Sequence, residues 1–180
     1  MGTTVEANNI NIWYEEFGDK SNETILLIMG ANANCMQWDQ KFIDRLVTNK
    51  FHVVRFDNRD VGKSTWFGRE PTFNKFLKLL PNFLLRMIVN SVFGLAVDEK
   101  GRFKFSESSP TQYDLSDMAK DAVSLMDTLK IDKAHIIGAS MGGMITQIIA
   151  LDYPERVLSI TPIMTSPGIQ NDSLSGPTKE

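Results

Sequence analysis

The sequence predicts an α/β fold built on a mostly parallel sheet with helices on both faces. Three observations carry that prediction. Strand and helix signals alternate along the chain, Ile25-Leu26-Leu27-Ile28-Met29 is an unbroken apolar run, and one long amphipathic helix lies between strand signals. An unbroken run suits a strand covered on both faces, and strands separated by helices imply right-handed crossovers.

Residues 3–7 and 10–17 read as two extended segments joined at the hairpin pair Asn8-Asn9. Glu23 to Met29 is the first buried strand. Gln40 to Val47 places Phe42, Ile43, Leu46 and Val47 at helical spacing, and His52 to Phe56 is the next strand. Leu115, Met118, Ala119, Ala122, Val123, Met126 and Leu129 then repeat with the helical period, the clearest amphipathic helix of the chain. Ala134 to Ala139 reads as a strand, Met141 to Leu151 as a helix and Val157 to Met164 as a last strand. Pro162 falls inside that last strand, where a central strand would lose a ladder hydrogen bond. Phe103 and Phe105 alternate with charges and predict a short strand of their own.

With 180 residues, 42% hydrophobic and 23% charged, the composition fits one soluble domain. We expect a partial core over 1–168 with a helical insertion at about 66–110, and a tail over 169–180 rich in Ser, Gly, Asn and Asp. A formal net charge of −3 argues against a nucleic-acid partner, which would want a basic surface. The single cysteine, Cys35, excludes an internal disulfide and suits a reducing compartment. Met1 to Glu6 lacks a signal-peptide pattern, and Glu6 occupies the Ser/Thr position of a myristoylation signal, so the expected location is cytoplasmic.

Gly138-Ala139-Ser140-Met141-Gly142 matches G-x-S-x-G between an apolar strand and an apolar helix, the context of a nucleophile elbow. The turn strains the serine and requires nearly side-chain-free neighbours, which Gly138 and Gly142 provide. Ser140 is the expected nucleophile. Met141 opens the helix, so its N–H is an expected oxyanion donor, helped by the helix dipole. A second donor is expected after the first buried strand, from Ala31 or Gly30. Gly143 is expected to let the helix sit close to the sheet. The plainer alternative is a serine that only caps the helix. A dinucleotide fingerprint fails because position 140 is serine, and a P-loop ending at Gly62-Lys63-Ser64 fails because position 57 is Asp57. Cys35 and Trp38 read as core, and the sequence offers no cofactor or metal-ligand pattern.

These residues resemble the α/β-hydrolase superfamily, and more narrowly the anthracycline methylesterase-like esterases. The matching segments are Leu27-Ile28-Met29-Gly30, Asp57-Asn58-Arg59-Asp60-Val61-Gly62-Lys63-Ser64, Asp117-Met118-Ala119, Gly138 to Gly143 and Ser159 to Met164. The resemblance implies Ser140 as nucleophile, Met141 with Ala31 or Gly30 as oxyanion donors, and an Asp57–Ser64 scaffold loop in which Asp57 and Arg59 fix the turn. It also implies a small-molecule ester or similar acyl substrate, since dehalogenases and epoxide hydrolases of this fold carry aspartate at the nucleophile position. A lid and further strands normally follow in this superfamily, so the sequence reads as its amino-terminal part, truncated after about the sixth strand.

In this fold the triad runs Ser, then Asp or Glu, then His. No histidine follows Ser140 in the sequence. His135 lies five residues upstream on the same strand, about 16 Å away at a strand's rise per residue. His52 begins its strand, at the sheet edge opposite to where such sites gather. Both are expected to be structural, and the chain alone is expected to lack the base.

Between residues 66 and 110, Phe73, Phe76, Leu77, Leu80, Leu84, Met87 and Ile88 share one helical face, while Lys75, Lys78, Asn82 and Arg86 share another. Pro81 interrupts them, and the uninterrupted apolar run is too short to span a bilayer. The segment reads as a makeshift lid. The alternative is a non-catalytic protein that binds a lipid, a membrane surface or a partner through residues 73–97.

Overall fold

The computed structural model describes residues 2–67, 84 and 112–167. Met1–Gly68 and Gln112–Gly168 form one compact unit. The insertion, with its contact segment at 73–97 and the strand at Phe103 and Phe105, lies outside the described residues apart from Trp66, Phe67 and Leu84, as does the 169–180 tail.

The described elements are β1 (Thr3–Ala7), β2 (Ile10–Phe17), β3 (Thr24–Ile28), α1 (Gln40–Thr48), β4 (His52–Phe56), α2 (Leu115–Thr128), β5 (Ala134–Ala139), α3 (Met141–Asp152) and β6 (Val157–Ile163). They form a six-stranded sheet in the order β1-β2-β4-β3-β5-β6. β4, β3, β5 and β6 are parallel, and the β1–β2 hairpin is added antiparallel along β4. Asn8 and Asn9, at φ 50° and 60°, turn the hairpin in the left-handed region that asparagine tolerates. β6 borders the described sheet, so the missing amide of Pro162, opposite Gly138, removes no bond from a central ladder.

Alternation along β3 splits the core between two faces. Ile25 and Leu27 pack with Val53 and Ile43 on the side of α1. Leu26 and Ile28 pack with Val54, Phe56 and Ile136 against Met118, Ala122 and Met126 of α2 and Ile145 and Ile149 of α3. Each of these side chains other than Ala122 contributes about 1.5–3 kcal/mol of transfer free energy on burial. α2 starts at a reciprocal capping box, in which Asp114 accepts from the Asp117 amide and Asp117 accepts from the Asp114 amide. Cys35 and Trp38 are buried, as the sequence reading expects; burial also pushes the Cys35 thiol well above its ordinary range, helped by Asp57.

Most polar groups in this core are paired, Trp38 Nε1 being an exception without a hydrogen-bond partner. Arg59 reaches Asp121 on α2 through two hydrogen bonds of 2.6 and 2.7 Å, and Asn8 in the hairpin donates to the same carboxylate at 2.7 Å. Desolvation works against the Arg59 charge, but the bonds and the attraction of Asp121 outweigh it and raise its pKa. His52 sits at the start of β4, 3.0 Å from Thr24 and 3.3 Å from Glu16. Burial depresses its pKa despite the opposing pull of Glu16.

Removing one partner of a buried pair leaves the other charge stranded. Asp121→Ala should therefore lower unfolding free energy by about 3–5 kcal/mol in a denaturant titration. A loss under about 1 kcal/mol would place this pair with solvent-screened ones. His52 is neutral in the native state, whereas the unfolded chain takes up that proton near pH 6.5. Its stabilising contribution is thus complete above that pH and declines as pH falls toward the lower native pKa. Urea midpoints measured between about pH 7.5 and 5.5 should fall less in His52→Gln than in the parent chain.

Candidate active site

The fold puts the G-x-S-x-G segment at the carboxyl edge of the parallel strands. β5 ends at Ala139, Ser140 makes the turn and α3 begins at Met141. Ser140 has φ 53° and ψ −119°, a conformation that costs a non-glycine residue about 1–3 kcal/mol. The surroundings impose it. The Ser140 amide donates to the Ile163 carbonyl at 2.9 Å, tying the turn to the end of β6, and its carbonyl accepts from Gly143 at 2.9 Å. Its side chain makes no capping hydrogen bond with α3, and the residue is exposed. The capping alternative therefore does not describe how this hydroxyl is used.

The flanking glycines answer to specific atoms. A Cβ at Gly138 would lie 2.2 Å from the Gly142 carbonyl oxygen and 2.3 Å from Thr146 Oγ1. A Cβ at Gly142 would lie 2.2 Å from the Ile28 carbonyl oxygen. The close approach of α3 to the sheet thus falls on Gly142, which faces β3. Gly143 instead makes room for Thr165, whose Cγ2 would be 2.6 Å from an added Cβ, which corrects the expectation for that position.

The loop after β3 passes directly beside the serine. A Cβ at Gly30 would be 3.1 Å from Ser140 Cβ and 3.6 Å from its Oγ. Ala31 follows, exposed, and Asn32 turns the loop at φ 56°. The Met141 amide, first in α3, has no partner within the helix, as at any helix start. The structure therefore gathers Gly30, Ser140 and Met141 at one point, with Ala31 next in the chain.

Asp57 and Arg59 divide their work. Asp57 binds the turn, accepting from Lys63 at 3.0 Å and from the Cys35 amide at 2.8 Å. Gly62, at φ 56°, closes on it so tightly that a Cβ there would sit 2.0 Å from Asp57 Oδ2. Arg59 leaves the turn for Asp121 and lies over the rings of Tyr113 and Phe67. Asn58, which the motif reading left without a role, donates to the Met29 carbonyl at 2.9 Å. Ser64 accepts from the Trp13 amide and donates to the Asp57 carbonyl, joining the loop to β2.

Both histidines are remote from this point. His135, second residue of β5, bonds Ser159 at 2.8 Å, its cross-strand partner, and lies 3.3 Å from Glu23. His52 pairs in register with Thr24 at the same amino edge. Among the described residues no cluster of three or more His, Cys, Asp or Glu could hold a metal ion.

A strained serine between a parallel strand and a helix, beside a glycine loop from the neighbouring strand, defines the α/β-hydrolase architecture. The chain belongs to the alpha/beta hydrolase fold family, whose model matches residues 23–179. Its sequence is methylesterase-like. It is 28% identical over 167 residues to rhodomycin D methylesterase DnrP of Streptomyces peucetius, covering 91% of this chain and 42% of the relative. It is 26% identical over 160 residues to rhodomycin D methylesterase DauP of Streptomyces sp. (strain C5), covering 89% of this chain and 41% of the relative. The chain thus spans about two fifths of the length of these relatives. Among solved structures, the enol-lactonase from Burkholderia xenovorans LB400 superposes with a TM-score of 0.63 at 19% identity, over 91% of this chain and 47% of that one.

Because the strain belongs to φ at residue 140, Ser140→Gly should raise stability by about 1 kcal/mol, whereas Ser140→Ala should not. Gly142→Ala should destabilise by more than 1 kcal/mol, since helix and strand backbones must part. Thermal or urea unfolding of the three variants checks both statements.

Proposed function

We propose that this chain carries the nucleophile and oxyanion elements of a serine ester hydrolase. The observation that supports the reading best is the strained, exposed Ser140 beside Gly30. In the proposed reaction Ser140 Oγ attacks the carbonyl carbon of a carboxylic ester and gives its proton to a base. The carbonyl oxygen becomes an oxyanion, held by the Met141 amide at the start of the 12-residue α3 and by the amide of Ala31 or Gly30. The alcohol leaves with a proton, and water then hydrolyses the acyl-serine. Serine rather than aspartate at position 140, and the methylesterase relatives, support the ester class.

No histidine follows Ser140 in these 180 residues, and His52 and His135 occupy the amino edge, so the reading takes the base to come from outside them. On this reading the chain alone hydrolyses esters at no more than the residual level that an oxyanion hole and binding sustain. Free imidazole at high concentration should substitute in part. A fluorophosphonate probe, read by peptide mass spectrometry, should label Ser140 faster with added imidazole, and Ser140→Ala should abolish that label. Labelling spread over other serines, or an imidazole-independent rate at Ser140, would contradict the reading.

A further inference from the structure

We propose that Asn58 is a positioning residue for the oxyanion loop, an inference that rests on reading Ser140 as the nucleophile. Residues 29–35 leave β3 beside Ser140 and rejoin the core at Cys35, and the end of β4 ties down both ends of this loop. Asn58 Nδ2 donates to the Met29 carbonyl at 2.9 Å, and Asp57 Oδ1 accepts from the Cys35 amide at 2.8 Å. Both side chains are buried, at 3% exposure each. The Asp57 tie also serves the 57–64 turn, through Lys63. The Asn58 tie serves only the loop beside the serine.

Peptide geometry turns that contact into a statement about the site. The Met29 carbonyl and the Gly30 N–H belong to one planar unit, trans like every described peptide bond, so they point in opposite directions. Holding the carbonyl against Asn58 fixes the direction of the Gly30 N–H, and only the two backbone torsions of Gly30 separate it from the Ala31 amide. Glycine at 30 leaves those torsions soft, which makes an outside anchor necessary. The same Met29 oxygen would lie 2.9 Å from a Cβ at Gly142, so it also rests against the first turn of α3. Asn58 thus sits where β4, the loop and the helix start meet. Without its donor, a turn of the Met29–Gly30 peptide would carry the N–H away and swing an acceptor toward the developing oxyanion.

The test compares the parent chain, Asn58→Leu and Val123→Ala by imidazole-assisted fluorophosphonate labelling of Ser140, with amide hydrogen exchange measured in parallel. Asn58→Leu keeps the volume and removes the donor. Val123→Ala lowers stability from a buried position on α2, in the apolar cluster separate from the one that holds Met29. Asn58→Leu should slow the bond-forming rate constant about ten- to a hundredfold, with the probe's reversible affinity unchanged. It should also speed exchange at Gly30 and Ala31, while Val123→Ala does neither. Equal slowing in both variants would overturn the proposal, because general destabilisation would then explain it. Unchanged exchange at Gly30 and Ala31 in Asn58→Leu would overturn it whether or not Ser140 labels. A parent chain that does not label at Ser140, with or without imidazole, would instead overturn the nucleophile reading on which the proposal stands.

Discussion

The contact between α3 and the sheet is the constraint on which the site depends. Helix and strand backbones meet where Gly142 faces the Ile28 carbonyl and Gly138 faces the Gly142 carbonyl, leaving no room for a side chain at either glycine. That approach bends the chain so sharply that Ser140 takes a left-handed φ, and the Ser140–Ile163 hydrogen bond locks the bend to β6. The free energy stored there is small beside the burial of Ile145, Ile149, Leu26 and Ile28, which press the two elements together. Packing of this kind is able to hold one residue in an unfavourable conformation. The result is a hydroxyl raised at the carboxyl edge, next to a loop with little side chain in the way.

Around that contact the structure builds a polar frame rather than more apolar core. Asp57, Asn58, Arg59 and, at the far end of the same loop, Ser64 are buried, and each points to a different neighbour: the turn amides and Cys35, the Met29 carbonyl, Asp121 on α2, and β2. A buried polar group without a partner costs about 1–3 kcal/mol, so each of these bonds is specific as well as stabilising. The frame connects hairpin, helix α2 and the loop after β3 through a single strand end.

Much of this was readable from residue types. The unbroken Ile25–Met29 run gave a strand covered on both faces, the helical repeat from Leu115 to Leu129 gave α2, and glycine on both sides of Ser140 gave the turn, because each signal follows from local geometry or burial. What escaped the reading depends on pairings between distant positions. Nothing local in Asn58 announces that its amide meets Met29, 29 residues away, or in Asp121 that it receives Arg59 across 62 residues. The sequence marks Gly142 as part of the turn, but that it meets β3 while Gly143 meets Thr165 emerges only from the fold. The family resemblance at Asp57–Ser64 implied a scaffold loop, but the division of labour between Asp57 and Arg59 needed the fold.

Ser140, the first turn of α3 and the loop after β3 are proposed to converge on one oxyanion. A crystal structure of the chain with a phosphonate ester on Ser140 measures this directly. The phosphoryl oxygen should accept from the Met141 amide and from the amide of Ala31 or Gly30, each at about 2.7–3.1 Å. A phosphoryl oxygen turned toward solvent, with the 29–35 loop making no hydrogen bond to it, would exclude that convergence.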